Sequence, residues 1–290
     1  MDSSDLVNQM KILVTGGSGY LGTHVCRFLS ADDFSRRSGH NILDSYDIKL
    51  VADYDAIIHL AGYLDKDPDA AELSFRTNVE GTANIIKHLR PGAAFIYAST
   101  KDVYGAHANS YTDAVPETCP TDYCGQTALE WSKLVGERYV EYYARQRGFR
   151  ACIFRMSTVY ARPSDGNESG FVTHYVESVK RGWPIHLPLG GNPVRDILHV
   201  DDFSRACQAF IESSQTHGLY NLGGGRENSA TLLEIVGTVS RLIQLEPTIV
   251  DDDNLPHPVP VNYVSDLSRI RDQLAWRPQI SVEAGLRSLL

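Results

Sequence analysis

The segment GGSGYLG at residues 16–22 stands between two patterns of regular secondary structure. Before it runs the short apolar stretch MKILVT at residues 10–15, which is typical of a buried parallel strand. After it, a helical pattern continues to residue 29. A glycine-rich turn in this position predicts a strand–loop–helix unit of the kind that binds dinucleotides.

The glycines of this loop have separate physical tasks. Gly16 permits the tight turn, Gly19 lets the backbone approach a pyrophosphate, and Gly22 lets the helix pack closely on the strand. Tyr20 and Leu21 open the helix, whose first turn offers free N–H donors and a partial positive charge. We therefore predict that these five residues bind the cofactor.

Further strands and helices alternate along the first half of the chain. We predict strands at residues 55–60, 93–98 and 151–154, and helices at residues 72–89 and 130–147. A second strand belongs between residues 29 and 41, where ADDFSRRSGH has little strand character, so that strand must be very short or distorted. The alternation predicts an α/β fold, with a Rossmann-like parallel sheet and helices on both faces.

The chain changes character after residue 160, where breaker residues cluster. This change predicts a small C-terminal substrate lobe beside the Rossmann domain. We assign residues 1–160 to the Rossmann domain, with about 194–222 returning to it, and residues 161–193 and 223–290 to the lobe. The lobe ends with an acid- and proline-rich loop and a last helix near residues 267–274.

Composition limits the kinds of partner. The 290 residues carry a net charge of -9 with acids and bases interspersed, which argues against a nucleic-acid or anionic-membrane surface. No apolar run approaches the roughly 18 residues that span a bilayer, so we predict no membrane contact. The five cysteines lack metal-like spacing, and the N-terminus lacks a secretory pattern. These features predict reduced thiols, no bound metal and a cytoplasmic protein.

The end of the second strand distinguishes the two nicotinamide dinucleotides. An acid there holds the ribose 2′-hydroxyl of NAD, whereas an arginine accepts the 2′-phosphate of NADP. Where the acid is expected, the sequence has Ser35-Arg36-Arg37. We therefore predict NAD(P) as the cofactor, with Arg36 and Arg37 favouring NADP.

Nine short motifs occur in a characteristic order between residues 11 and 278. They are GGSGYLG at 16–22, HLAG at 59–62, NVEGT at 78–82, STKDVYG at 99–105, SKLVGE at 132–137, FRMSTVY at 154–160, RDILHVDD at 195–202, YNLGGG at 220–225 and WRP at 276–278. In these motifs the chain resembles the NAD-dependent epimerase/dehydratase family of extended short-chain dehydrogenases/reductases. The resemblance implies a cofactor contacted by Leu60, Ala61 and Gly62, a substrate contacted by Asn78, and a homodimer formed through a four-helix contact.

Members of that family oxidise and re-reduce a sugar carbon by hydride transfer, with a Ser or Thr, a Tyr and a Lys as the usual catalytic set. The tyrosine and lysine stand four apart on one helix, so both side chains share a face. The lysine lowers the pKa of the tyrosine, which then transfers a proton near neutral pH. The resemblance puts Thr100 at the Ser/Thr position and Lys133 at the lysine position, where it also binds the cofactor.

The tyrosine of this set is missing. In the register that keeps Lys133, Leu129 stands four residues earlier, and leucine cannot transfer a proton. In a second register, Cys124 and Ala128 take the tyrosine and lysine positions, and both functional groups are gone. We prefer the first register because the second puts five extra residues into the following helix.

Nearby polar residues are candidates for moving the proton instead. Some relatives that eliminate water from nucleotide sugars lack the tyrosine and keep the lysine. Dehydratase-like relatives often place an acid two residues after the Ser/Thr position, where Asp102 stands. Lys101 and Tyr123 are the other candidates.

On the substrate side, Arg195 matches the family's arginine that grips the nucleotide diphosphate, a task that suits a guanidinium fork. The family's second arginine is absent from PHPVPVNYVS at residues 256–265, where His257 is the candidate substitute. The predicted partner is therefore a nucleotide-activated sugar or a similar small molecule, with a diphosphate site weaker than usual or a different substrate.

Three functions fit these observations. The first is an NAD(P)-dependent nucleotide-sugar epimerase, dehydratase or ketoreductase with an altered Tyr-x-x-x-Lys site, whose activity the alteration would impair. The second is a cofactor-holding protein of the same fold with little or no turnover. The third is a reductase of a non-sugar carbonyl.

Overall fold

The computed structural model describes residues 10–163, 170–252 and 260–290. Six parallel strands form its largest sheet: β1 (Ile12–Thr15), β2 (Asp32–Phe34), β3 (Ala56–His59), β4 (Ala94–Thr100), β5 (Arg150–Met156) and β9 (His217–Leu222). They lie in the order β2-β1-β3-β4-β5-β9. β1 and β3 are buried along their whole length, as expected for apolar strands covered on both faces.

Helices pack on both faces of this sheet. On one face lie α1 (Gly22–Leu29) and α6 (Val200–Glu212), with Val25 and Phe203 buried in the core. On the other lie α3 (Thr82–Lys87) and α4 (Ala128–Arg147), with Ile85 and Val140 buried. The remaining helices are α2 (Ala71–Phe75), α5 (Phe171–Arg181), α7 (Leu232–Ile243), α8 (Ser268–Leu274) and α9 (Val282–Ser288). The predicted α/β class and Rossmann-like sheet are confirmed.

The second strand is very short, as the sequence predicts. β2 has three residues and pairs with β1 from Asp32 to Phe34. However, the acids Asp32 and Asp33 are part of the strand, and Ser35-Arg36-Arg37 follows it. Asp33 is the middle residue of β2 and the basic triplet begins directly after Phe34, so an acid and two arginines both lie near the end of this strand and the preference for NADP stays a prediction.

Two smaller sheets lie in the later part of the chain. β6 (Thr158–Tyr160), β8 (Val194–His199) and β10 (Ser229–Thr231) form one, and β7 (Pro184–Pro188) pairs with β11 (Thr248–Asp252) in the other. Apolar residues of α5, α7 and α9 join them in a separate core that includes Val176, Ile185 and Ile235. The later elements therefore pack around a core of their own.

Two elements depart from the domain boundaries that the sequence predicts. The strand at residues 194–199 pairs in the three-stranded sheet, so α6 and β9 are the parts of the 194–222 segment that join the large sheet. α8 was assigned to the lobe, but Ile270, Leu274 and the following Trp276 pack in the core shared by α1 and α6. A division exactly at the predicted residues is therefore not what these contacts support.

The strand order reverses beside β1, because β2 lies on one side of it and β3 on the other. Ligands of open α/β sheets bind outside the carboxyl ends of the strands at such a reversal. The loops that leave β1 and β3 at this edge begin at residues 16 and 60. Two of the segments that we predict to bind the cofactor begin at the same residues. The fold therefore places a binding crevice between these loops.

Candidate cofactor and substrate site

A cavity of about 980 Å³ lies at this reversal of strand order. It is within the size range of small-molecule sites. Its lining includes every residue predicted to bind the cofactor: Gly16, Gly19, Tyr20, Leu21, Gly22, Arg36, Arg37, Leu60, Ala61, Gly62 and Lys133. The structure therefore brings together segments that are more than 100 residues apart in the chain.

The glycine loop is too tightly folded to accept side chains at its two ends. Gly16 has a φ of 74°, which favours glycine, and a Cβ on Gly22 would overlap the carbonyl oxygen of Gly16. Among the residues that the structure describes, no side chain caps the N-terminus of α1, which follows this turn. An anionic ligand group would complete that helix end.

Tyr20 connects the loop to the later part of the chain. Its hydroxyl donates to the carbonyl oxygen of Ala161 at 2.8 Å, and it lies 2.9 Å from the hydroxyl of Thr173 on α5. The backbone N–H of Ala161 donates back to the same phenol oxygen at 2.8 Å. Tyr20 thus holds α5 beside the cavity as well as lining it.

Asp33 is a candidate binding residue that the sequence analysis missed. Its Oδ2 accepts hydrogen bonds from the hydroxyls of Ser18, in the glycine loop, and Ser35. Its Oδ1 is buried and has no hydrogen-bond partner among the described residues. Such an unpaired oxygen costs about 1–3 kcal/mol, so a ligand hydroxyl would stabilise it. The signal in the sequence was an acid pair within a stretch that looked too polar for a strand.

Arg36 and Arg37 line the same part of the cavity as the end of β2. They open a short 3-10 turn, Arg36–Ser38, which the Ser35 side chain caps. Arg37 Nη1 donates to the carbonyl oxygen of Ser18 at 3.1 Å. The guanidinium of Arg37 therefore braces the glycine loop, while Asp33 contacts the same loop from the strand.

Lys133 is buried on α4 and lines the cavity. Its Nζ donates to the carbonyl oxygen of Ala98 in β4 at 2.9 Å. A Cβ on Gly62 would lie 3.1 Å from this Nζ, so the glycine makes room for the ammonium group. Burial lowers the pKa of Lys133 to about 8, although the nearby carboxylate of Glu137 opposes the shift. A charged donor is thus held where the loops after β3 and β4 meet.

The position of Lys133 favours the register that aligns Leu129 with the missing tyrosine. Both residues lie on α4, one turn apart, so they share a face of the helix. Ala128 is the first residue of α4, and the thiol of Cys124 points to the carbonyl oxygen of Tyr104 at 3.4 Å. Among the residues that line the cavity, Lys133 is present and the pair from the second register is not.

Thr100 and Asp102 lie at the carboxyl end of β4. The Thr100 hydroxyl accepts a hydrogen bond from the backbone N–H of Asp102 at 3.2 Å. The Asp102 carboxylate contacts Lys101 Nζ through Oδ1 and Lys66 Nζ through Oδ2. Burial alone would raise the pKa of Asp102, but the two ammonium groups hold it well below its usual range. A carboxylate of this kind accepts protons poorly at neutral pH, which argues against Asp102 as the catalytic base.

Two other residues are not placed for the roles that the sequence suggests. Tyr123 is 70% exposed and stacks on Trp131, with ring centroids 6.4 Å apart. Asn78 is buried, and its amide bonds to both backbone groups of Tyr63 and to the Ser132 hydroxyl. Asn78 therefore braces the loop after β3 against α4 and does not offer a free group to a substrate.

Arg195 is buried on β8, and its Nη1 donates to the carbonyl oxygens of Val194 and Val261 at 2.8 and 2.7 Å. Its remaining N–H groups have no hydrogen-bond partner among the residues that the structure describes. These groups are consistent with the predicted diphosphate contact. His257 lies outside the described residues.

Within residues 10–163, 170–252 and 260–290, no three His, Cys, Asp or Glu side chains come together as a metal site requires. No helix in these ranges is long and apolar enough to cross a membrane. All five cysteines are free.

Known proteins resemble this chain along nearly all of its length. The model of the NAD dependent epimerase/dehydratase family matches residues 12–223. CDP-paratose 2-epimerase of Salmonella typhi is 27% identical, over 97% of this chain and 98% of the relative. A dTDP-glucose 4,6-dehydratase of Mycobacterium tuberculosis is 28% identical, over 97% and 92%. The crystal structure of UDP-glucose 4-epimerase with UDP-glucose, from Thermotoga maritima, matches with a TM-score of 0.84 and 24% identity, over 96% of this chain and 97% of that one.

Proposed function

Because the chain belongs to the NAD-dependent epimerase/dehydratase family, we propose that it is an enzyme that binds a nicotinamide dinucleotide and acts on a nucleotide-activated sugar by hydride transfer. The buried Lys133 at the wall of the glycine-loop cavity is the observation that carries this proposal. The curated relatives are named for CDP- and dTDP-sugars, so a sugar linked to a nucleoside diphosphate is the shared chemistry.

The lining of the cavity suggests how the dinucleotide is held. From the cavity wall, the loop at residues 16–22 and the N-terminus of α1 would hold the pyrophosphate, and Lys133 the nicotinamide ribose. Asp33 does not line the cavity, but it bonds to Ser18 and Ser35 of the wall and would hold the adenosine ribose from there. The bound cofactor supplies the hydride chemistry, and the protein orients it. Thr100 would hydrogen-bond the reacting hydroxyl of the sugar, and Arg195 would bind the diphosphate.

NAD is the cofactor that the environment of Asp33 favours. Its unpaired Oδ1 can accept a ribose hydroxyl, whereas a 2′-phosphate beside this carboxylate would be repelled. Arg36 and Arg37, which favour NADP in the sequence, lie at the same wall. Arg37 already donates to the backbone of the glycine loop, so bracing that loop is a sufficient role for it.

Turnover should be slow because no tyrosine stands four residues before Lys133. A positioned acid–base group contributes about 10²–10⁴-fold to a rate, and Leu129 provides none of this. The Asp102 carboxylate is held ionised by two lysines, and Tyr123 faces solvent. The lack of a proton-transferring side chain at position 129 also favours the second candidate function, a protein that holds its cofactor without turnover.

Restoring the tyrosine tests the proposal. We would assay the parent and Leu129→Tyr with UDP-, GDP-, CDP- and dTDP-sugars, following sugar products by chromatography and the cofactor by absorbance. Leu129→Tyr should raise kcat by about 10²-fold or more, since it sets a phenol one helical turn before Lys133. Leu129→Phe is the matched control, because it adds the ring without the hydroxyl and should not raise kcat.

The other register is tested by Cys124→Tyr combined with Ala128→Lys, which should not raise turnover. A parent that turns over a sugar nucleotide briskly, with Leu129→Tyr no faster, would contradict the proposed role of this position. Cofactor binding without turnover in every variant would favour the second candidate function. A non-sugar carbonyl reductase would instead reduce its substrate without any nucleotide diphosphate.

We also propose a homodimer formed through α2 and α4. These two helices pack against each other, and they leave large apolar side chains exposed. Tyr142 on α4 is 60% exposed, and Leu73 and Phe75 on α2 are 44% and 40% exposed. Two copies of this helix pair would form the four-helix contact that the family resemblance implies.

A further inference from the structure

The serine that follows β5 connects the wall of the cavity to a buried carboxyl group. Ser157 lines the cavity together with Lys133 and is 9% exposed. Its hydroxyl donates to Oδ1 of Asp196 on β8 and lies 2.8 Å from the backbone carbonyl oxygen of the same residue. Asp196 is completely buried. A hydroxyl group at the wall is therefore hydrogen-bonded to a carboxyl group that solvent does not reach.

The surroundings of Asp196 make its carboxylate a better proton acceptor than an ordinary one. Its Oδ2 accepts hydrogen bonds from the backbone N–H groups of Gly225 at 3.1 Å and Ser265 at 3.0 Å. Burial raises the pKa of Asp196 and outweighs these bonds and that of Ser157, which lower it. The carboxylate of Asp102, in contrast, is held ionised by two lysines and accepts protons poorly.

Ser157 lies on the side of the site where the reacting hydroxyl is proposed to bind. It comes directly after Met156, which pairs with Thr100 across β4 and β5. Neighbouring strands are about 4.8 Å apart, so the backbones of Thr100 and Ser157 lie beside each other. Neither Asp102 nor Tyr123 lines the cavity. Ser157 therefore has the access to the cavity that those two candidates lack.

We propose that Ser157 and Asp196 together take the place of the missing tyrosine, with Ser157 in contact with the sugar hydroxyl and Asp196 as the final proton acceptor. The inference rests on the proposed function, which supplies the nucleotide sugar and the cofactor. When the C–H bond of the sugar breaks, its electron pair leaves as hydride to the nicotinamide. The hydroxyl proton then passes to Ser157 Oγ while the Ser157 proton passes to Asp196 Oδ1. A ketone and a carboxylic acid result, and reduction of the ketone returns the proton along the same path.

This route should be slower than proton transfer by a tyrosine. A serine hydroxyl is a much weaker acid than a phenol, so the two protons must move in one concerted step. A phenol one turn before Lys133 needs no such relay. Leu129→Tyr therefore opens a faster route that bypasses Ser157, and this bypass distinguishes a chemical role from a structural one.

The test measures kcat for Ser157→Ala in the parent and in Leu129→Tyr, with the sugar nucleotide that Leu129→Tyr turns over fastest. In the parent, the substitution should lower kcat by about 10-fold or more, because the proton path is lost. In Leu129→Tyr, the loss should shrink to less than about 3-fold, because the phenol transfers the proton. Asp196→Asn, which keeps the size of the side chain, should show the same pattern.

Ser204→Ala is the matched control. Ser204 is a buried serine whose hydroxyl donates to the carbonyl oxygen of Val200 within α6, and it does not line the cavity. This variant should leave kcat unchanged in both backgrounds. A serine or aspartate with a structural role alone would lower kcat by the same factor with and without the tyrosine.

A carboxyl titration by ¹³C NMR provides a readout that does not depend on activity. The side-chain resonance of Asp196 is assigned by its absence from Asp196→Asn. Ser157→Ala should raise the pKa of Asp196, because the hydroxyl no longer stabilises the carboxylate. Arg195 and Tyr263 interact electrostatically with Asp196. Both are present in the parent and in Ser157→Ala, so the difference between the two titrations reports the Ser157 bond.

The outcomes separate the inference from the function beneath it. Equal losses from Ser157→Ala in the two backgrounds, or no loss in the parent, would overturn the inference and leave the proposed function standing. An Asp196 resonance that titrates alike in the parent and Ser157→Ala would also overturn it, as would an inactive parent beside an active Leu129→Tyr. If neither protein turns over any sugar nucleotide, the proposed function fails and the inference falls with it.

Discussion

At the residue scale, Lys133 gives the site a measurable pH signature. Its pKa is lowered from 10.5 to about 8 by burial, so the folded protein disfavours the charged form relative to the unfolded chain. Below pH 8 the burial of the charged lysine lowers the free energy of unfolding by on the order of 3 kcal/mol. The cost fades as the pH rises from about 8 to 10.5, because both states then lose the proton.

Lys133→Met removes this titration, and its effect should therefore depend on pH. The free energy of unfolding of Lys133→Met minus that of the parent should be largest at pH 7. This difference should fall by roughly the same 3 kcal/mol by pH 10.5. Denaturant titrations at intervals between pH 7 and pH 10.5 measure it. Lys49→Met, at an exposed lysine, should show no such trend, and a flat difference for Lys133→Met would mean that its ammonium is not disfavoured by the fold.

A second residue-scale prediction concerns Asp33. NADH should bind more tightly than NADPH, because a carboxylate accepts a ribose hydroxyl and repels a phosphate. Asp33→Ser should reduce the difference in binding free energy between NADH and NADPH by on the order of 1–3 kcal/mol, the effect of losing a hydrogen bond to a charged group. Calorimetry with both reduced cofactors measures it.

The matched variant is Arg36→Ala with Arg37→Ala, which should change the affinities for NADH and NADPH alike, because it removes the Arg37 contact to the glycine loop and leaves Asp33 in place. Tighter binding of NADPH by the parent, lost in this double variant, would instead establish the arginines as a phosphate site. That result would restore the preference that the sequence alone suggests.

The glycines of the loop could be predicted from the sequence because the turn and the close contact that require glycine involve only neighbouring residues. Gly16 and Gly22 are fixed by a turn and a close contact within seven residues of chain. Asp33 and Lys66 could not be found in this way, since their roles depend on contacts with distant segments. Asn78 was recognisable as part of a motif, but its role depended on which neighbours took its hydrogen bonds.

At the scale of elements, α4 carries both Lys133 on its buried side and exposed tyrosines on its other side. If two copies pair through α2 and α4, a charge at the centre of that surface must be desolvated without a partner. Tyr142→Asp should therefore convert a dimer into a monomer. Light scattering after size-exclusion chromatography measures the mass of each form.

Tyr46→Asp is the control for that experiment, because Tyr46 is 79% exposed but lies on a different segment. It should leave the mass unchanged. A monomeric parent, or a dimer that survives Tyr142→Asp, would contradict the proposed helix pairing.

Long, strongly patterned elements could be predicted, and short ones could not. The helix predicted at residues 130–147 is observed as Ala128–Arg147, with apolar and polar faces that the sequence displays. β8 lies in the segment assigned to the Rossmann domain but pairs in the three-stranded sheet, and a six-residue strand does not reveal its partner from sequence. α9 was missed, although Ser281 caps its N-terminus through a hydrogen bond from the N–H of Ala284.

At the scale of the whole molecule, several cationic side chains gather at the site of a chain that is acidic overall. The chain carries -9, yet Lys66, Lys101, Lys133 and Arg195 lie around the carboxyl ends of β3 and β4. This concentration of cations could not be predicted from the sequence, because the four residues come from distant segments. It allows an acidic protein to hold anionic ligands through a local positive site.

The glycine-loop cavity is proposed to hold a nicotinamide dinucleotide, and a titration of the protein with NADH decides whether it does. The parent and Gly19→Val are titrated with NADH by calorimetry, alongside Gly237→Val, where a Cβ meets no atom within 4 Å. A branched side chain at Gly19 would occupy the place of the pyrophosphate, so that variant should lose binding by about 100-fold or more while the parent and Gly237→Val bind alike. A parent that binds neither NADH nor NADPH, or a Gly19→Val protein that binds as tightly as the parent, would contradict the account.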